Sequence, residues 1–121
     1  MEPNNGISEK IELFLSARNL KDLDVFSKSD PYVKILWKRD YTQHHYAPLG
    51  RTETIQNNLN PNFGKSFIID FLFESRQEIR FELYDDDDKG QKDDFIGYVE
   101  TTVGALMGAR SQTSILDIQS N

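Results

Sequence analysis

The chain has 121 residues, 37% hydrophobic and 12% aromatic, which suits one domain with one packed core. It holds no cysteine, so disulfides and thiolate metal sites are excluded. Its net charge of −6 argues against nucleic acid as a partner, and no apolar run is long enough for a membrane-spanning helix. The polar opening, MEPNNGISEK, lacks a signal-peptide apolar stretch, so the expectation is an intracellular protein or an intracellular module of one.

In chain order, residues 1–9 read as a flexible lead-in and residues 10–121 as a single domain. The ruling pattern is period two, the signature of half-buried strands. In KIELFLSA, Ile11, Leu13, Leu15 and Ala17 share a face. In YVKILWK, Val33, Ile35 and Trp37 oppose Tyr32, Lys34 and Lys38. A weaker strand is expected over residues 50–56. SFIIDFLFE aligns Phe67, Ile69, Phe71 and Phe73, and EIRFELY aligns Ile79, Phe81 and Leu83. FIGYVETTV aligns Phe95, Gly97, Val99 and Thr101, residues 103–110 hold a short helical turn, and TSILDIQ closes as a short strand. Phe67, Phe71, Phe73, Phe81 and Trp37 are assigned to the core. Turn-forming stretches (SDPY, APLG, NLNPN and DDKGQKDD) separate the runs. Seven strands with almost no helix predict an all-β, two-sheet antiparallel sandwich.

The charge is unevenly placed. Nine of the twelve aspartates fall in two windows, Asp22 to Asp30 and Asp85 to Asp94; without them the chain would carry +3. Like charges at that density repel, so the concentration implies a cation. A hard divalent ion such as Ca²⁺ takes about six to eight oxygen ligands in flexible geometry. DLDVFSKSDPY sets Asp24 and Asp30 six residues apart across one loop. YDDDDKGQKDDFIG sets Asp85 and Asp87 at one base of another loop and Asp94 at its other base. Two loops at one end of a sandwich can gather these five carboxylates into a cage. Asp22, Asp86, Asp88 and Asp93 are expected to add field rather than bonds. The plainer reading of the whole set is a solvated acidic loop.

Other acidic motifs fail. A helix-flanked calcium loop counted from Asp85 would place Lys89 at its fifth position and Ile96 at its twelfth, where oxygen and Glu are needed. A phosphotransfer site lacks a lysine or threonine partner and an α/β pattern, and no nucleophile–base pair is visible, so the chain is not expected to be an enzyme. DDDDK, residues 85–89, matches a protease recognition tag by coincidence. His44 and His45 read as a surface pair in a loop.

The same residues resemble a known family. LDVFSKSDPYVKI, NLNPNF and LYDDDDKGQKDDFIG, in that order, are similar to the three loops of C2 domains, calcium-dependent phospholipid-binding modules. LGRTETIQ, FLFESRQEIRFELYD and KDDFIGYVE resemble the first C2 domain of copines. The resemblance covers residues 10–118 and implies a Greek-key sandwich of two four-stranded sheets with the permuted (type II) topology. Its eighth strand would come from residues 1–8 or be missing, and a missing strand leaves an unpaired edge that invites dimerisation or strand exchange. Copines continue into a second C2 domain and a von Willebrand A-like domain.

Carried over by position, the implied ligands are Asp24, Asp30, Asp85, Asp87 and Asp94, with backbone carbonyls of Val25 and Asp86, for two or three Ca²⁺ ions. The third loop is one residue longer than usual, and Asp94 is preferred over Asp93 because it stands three before Gly97. The implied partner is an anionic phospholipid surface, reached by a cytoplasmic protein moving to the inner face of the plasma membrane or to other membranes as calcium rises. Val25 and Phe26 would enter the headgroup region while Lys89 and Lys92 lie against it, giving shallow, salt-sensitive docking. Lys34, Lys38 and Arg51, with Arg39 nearby, offer a sparse basic face for a headgroup, against the plainer reading of ordinary surface charge. The alternative function is a calcium-independent protein–protein interaction module of the same fold.

Overall fold

In the computed structural model, residues 8–22, 28–87 and 92–120 are described. The elements are β1 (Ser8–Leu13), β2 (Pro31–Trp37), β3 (Ala47–Arg51), β4 (Phe67–Leu72), β5 (Glu78–Asp85), β6 (Asp94–Thr102) and a short helix α1 (Val103–Met107). A 3-10 turn follows at Arg110–Gln112. All strand pairs are antiparallel, in a four-stranded sheet of order β3-β2-β5-β6 and a two-stranded sheet of β1 and β4. The all-β sandwich expected from the alternation is what forms.

The core lies between the two sheets. Val33, Ile35, Phe67, Ile69, Ile79, Phe81 and Leu83 fill it from the strands, with Val103 from α1. Ile11, Leu13, Leu15 and Ala17 pack against it from the β1 side, as their spacing predicts. Burial of the fully buried Val, Ile, Leu and Phe side chains of this core contributes about 1.5–3 kcal/mol each. Gln77 is the polar pin of this core. Its side-chain amide donates to the carbonyls of Arg39 and Asp70 and accepts from Leu72 N–H. Its own carbonyl accepts from Val103 N–H, which seats α1.

Several local expectations are corrected. β1 begins at Ser8, so Ser8 and Glu9 are sheet residues rather than lead-in. β3 spans residues 47–51 and not 50–56. Beyond it the chain still follows β2, through single bonds from Thr52 N–H to Val33 O, Ile55 N–H to Pro31 O and Asn58 N–H to Ser29 O. Thr52 is buried, and its hydroxyl accepts Val33 N–H, standing in for a ladder bond. Pro48 is tolerated because β3 is an edge strand. The run TSILDIQ forms no strand and joins β6 through the Tyr98–Gln119 bridge. Among the described residues, β1 pairs with β4 alone, so the second sheet has two strands where four were expected.

Two face assignments also change. A bulge pairs Leu83 with Gly97 and Tyr84 with Phe95, leaving Ile96 without an opposite partner. The bulge turns Ile96 into the core and Phe95 outward, edge-on to Tyr84. Phe73 is 55% exposed, because β4 ends one residue before it. It rests against Phe71 instead, with ring centroids 4.8 Å apart.

Candidate functional site

Three adjacent strands reach the same end of the sandwich together. Pro31 of β2 pairs with Asp85 of β5, and Asp85 pairs with Asp94 of β6. Directly opposed residues in a sheet share a face, so Asp85 and Asp94 project to one side, beside Asp30 at the entry to β2. Asp85 is buried, and its Oδ1 accepts the backbone N–H of Asp30 at 2.8 Å. Asp86 N–H donates back to Asp30 O at 2.9 Å, so the β2 entry and the β5 exit are locked to each other.

The turn built from NNLNPNF, residues 57–63, braces this end. Asp30 Oδ1 accepts from Asn57 N–H at 2.8 Å, where Asn57 sits at φ 50°, a left-handed conformation that Asn tolerates. Leu20 N–H donates to Leu59 O, and Asn19 N–H to Asn60 Oδ1, fixing the stem that follows β1. The connection bearing Asp24 therefore leaves from a stem tied to this turn and returns at Asp30.

Of the residues named from sequence, Asp30, Asp85, Asp86, Asp87 and Asp94 all lie at this end. Asp24, Val25, Phe26 and Lys89 lie outside the described residues. Among the described residues, no three His, Cys, Asp or Glu side chains converge closely enough to hold a metal ion. The donor chemistry nonetheless suits a hard cation, being all aspartate oxygen from separate strand ends. Lys92 is exposed and borders a shallow hollow with Tyr84, Asp94 and Phe95.

Asp93 is held by bonds within the protein. One of its oxygens accepts the Tyr32 hydroxyl, and the other accepts Asp87 N–H at 2.8 Å. The Tyr32 bond and the Asp87 amide hold its carboxyl below the usual carboxylate range. Burial, then the bond to Asp93, pushes the Tyr32 phenol up. Asp86 also finds partners: the Thr54 hydroxyl donates to it at 2.7 Å, and Arg51 stands 4.0 Å away. Sequence reasoning passed over Tyr32, Thr54 and Asn57. Tyr32 gave a signal, since an aromatic on the polar face of a strand needs a cover.

The basic face resolves into two parts. Lys34 and Arg51 are direct partners across β2 and β3. Arg51 stacks on the Tyr32 ring at 3.5 Å, and Lys34 Nζ lies 4.8 Å from the Tyr84 ring centre. Lys38 is apart from them, paired with Glu78 at 3.1 Å and set over Tyr46. Arg39 stands 4.0 Å from Asp70. His44 and His45 are exposed in the β2–β3 connection.

The same fold is found in known proteins. A model of the C2 domain matches residues 13–118. Nicotinic receptor-associated protein 1 of Caenorhabditis elegans is 38% identical over 116 residues, covering 80% of this chain and 18% of the relative. The chain thus spans less than a fifth of that protein's length. A C2 domain of RIM from Drosophila superimposes with a TM-score of 0.64 at 20% identity, covering 96% of this chain and 90% of that one. Extended-Synaptotagmin 2, solved as a pair of C2 domains with calcium bound, superimposes with a TM-score of 0.53 at 23% identity, covering 83% and 35%. With loops from β2, β5 and β6 meeting at one end of an antiparallel sandwich and the family match running from β1 to the last bridge, the chain belongs to the C2 domain family.

Proposed function

We propose that the domain binds Ca²⁺ at its acidic end and docks on anionic phospholipid, as the targeting module of a cytoplasmic signalling or trafficking protein. The observation that carries this reading is the row formed by Asp30, Asp85 and Asp94 at the ends of three adjacent strands, with Asp87 on the connection between the last two. Asp24, Asp30, Asp85, Asp87 and Asp94 would hold two or three ions, with the carbonyls of Val25 and Asp86. The bound ions would reverse the local charge and offer open coordination positions to phosphate oxygens. Without them, the acidic end repels an anionic surface. Val25 and Phe26 supply apolar contact, while Lys89 and Lys92 add attraction to the lipid headgroups. Lys34 and Arg51, paired across β2 and β3, form a secondary basic face, with Lys38 apart from them on Glu78. Within the family, the loop and strand sequences favour the first C2 domain of a copine, and the domain itself is read as non-catalytic.

The test is sedimentation with vesicles of phosphatidylserine and phosphatidylcholine, in Ca²⁺ or in chelator, over a salt series. Binding in Ca²⁺ that fades with salt and vanishes in chelator supports the reading. Equal sedimentation in both conditions removes the switch.

A second reading is a calcium-independent protein-interaction module. It draws on Phe14, just past the end of β1, and Ile68 of β4, which are 70% and 67% exposed. Vesicle binding that is absent in both conditions favours it.

A further inference from the structure

Asp93 and Asp94 are neighbours with opposite fates. Asp94 opposes Asp85 across β5 and β6 and so shares its face. Asp93 turns to the other face, where Tyr32 stacks with Tyr84 at 5.5 Å between ring centres and Arg51 covers the Tyr32 ring. Both Asp93 oxygens are taken there, one by the Tyr32 hydroxyl and one by Asp87 N–H. The Asp93 carboxylate therefore ties the start of the 87–93 connection to its end, and anchors both to β2. The two bond partners come from different places, Tyr32 61 residues and Asp87 six residues from Asp93 in sequence.

We infer that Asp93 is a positioning residue for Asp87: braced by Tyr32, it presets the backbone at Asp87 and raises cation affinity without touching the cation. The inference rests on the calcium reading above. The physical basis is preorganisation. A backbone already fixed at Asp87 by this strut has less conformational freedom to lose when a cation binds there, which lowers the cost of binding. The chain spends an aspartate on this task because the carboxylate can accept from a hydroxyl and an amide at once.

The experiment titrates the domain with CaCl₂ alone by calorimetry and follows hydrogen exchange at the Asp87 amide in the cation-free protein. Tyr32→Phe keeps the ring and its stacking and removes only the hydroxyl. It is expected to weaken Ca²⁺ binding about five-fold and to speed exchange at Asp87. Asp93→Ala should do both more strongly, Asp93→Asn should recover most of the affinity, and Tyr32→Phe added to Asp93→Ala should cost nothing further. Loss of all Ca²⁺ binding in Asp93→Ala with Tyr32→Phe unchanged makes Asp93 a ligand and overturns the inference. So does an Asp93→Asn variant as weak as Asp93→Ala, or unchanged affinity and exchange throughout. A parent domain that takes up no Ca²⁺ removes the calcium reading itself, and the inference with it; binding by the parent with indifferent variants removes the inference alone.

Discussion

Asp30 and Asp85 are 55 residues apart in sequence, and the Asp30 backbone N–H donates to Asp85 Oδ1 at 2.8 Å. Asp85 thus serves the fold before it serves any ligand. Its charge is costly where it is buried, and the amide it accepts offsets part of that cost.

Asp85→Ala removes this acceptor and strands the Asp30 amide. In chelator it is expected to lower unfolding free energy by about 1–3 kcal/mol. Asp85→Asn keeps an oxygen in place and should cost less than half as much. Urea unfolding of both variants checks this. Equal stability of Asp85→Ala and the parent would show that the contact contributes nothing.

Asp30→Asn and Asp87→Asn keep side-chain shape and remove one negative charge each. Under the proposed function, each should abolish the rise in melting temperature that Ca²⁺ produces in the parent. In chelator, both should be at least as stable as the parent, because a repulsive charge is gone, and added salt should help them less. Thermal scans with and without Ca²⁺ at two salt concentrations separate these outcomes. Two variants that still respond as the parent does would remove Asp30 and Asp87 from the ligand set.

Gly97 lies where the C-terminal segment crosses β6. A Cβ there would stand 2.4 Å from Ile118 Cγ2 and 2.6 Å from the Gln119 carbonyl oxygen. Gly97→Ala therefore forces residues 118–119 away from the paired N–H and C=O groups of Tyr98. The expected cost is about 1–3 kcal/mol, with faster proteolysis within residues 113–120. An alanine variant that is as stable and as resistant as the parent would show that this crossing is not held.

Glu53 accepts from Gly64 N–H at 2.6 Å and Lys65 N–H at 3.2 Å. The Gly64 bond leads the shift of its carboxyl below the ordinary value of 4.5. A depressed carboxylate stabilises the fold above its unfolded pKa, and that contribution is lost as pH falls through the folded value. Glu53→Gln should therefore be less stable than the parent at neutral pH, with the gap closing as pH falls below the unfolded value and through the lowered folded one. Urea midpoints across that range test it, and a gap independent of pH would rule out ionisation as its source.

Alternation alone placed five of the strands and most of the core. Ile11, Leu13, Val33, Ile35, Phe67, Ile69, Ile79, Phe81 and Leu83 face inward as their period-two spacing requires. That Asp30, Asp85 and Asp94 stand at strand ends on one end of the sheet was also legible, since antiparallel order brings those strand ends side by side. Other features were decided only in three dimensions. The bulge that buries Ile96 arises from the pairing of β5 with β6, and the exposure of Phe73 from where β4 stops. The burial of Tyr32 on the polar face of its strand depends on Arg51 and Tyr84 from neighbouring strands. The bond that holds Asp93 on the face opposite to Asp94 comes from a hydroxyl 61 residues away from it. A hydrophobic period is a local property that a chain carries before it folds. A carboxylate's partners are fixed by which distant groups the register brings within about 3 Å, and that distance exists only in the folded molecule.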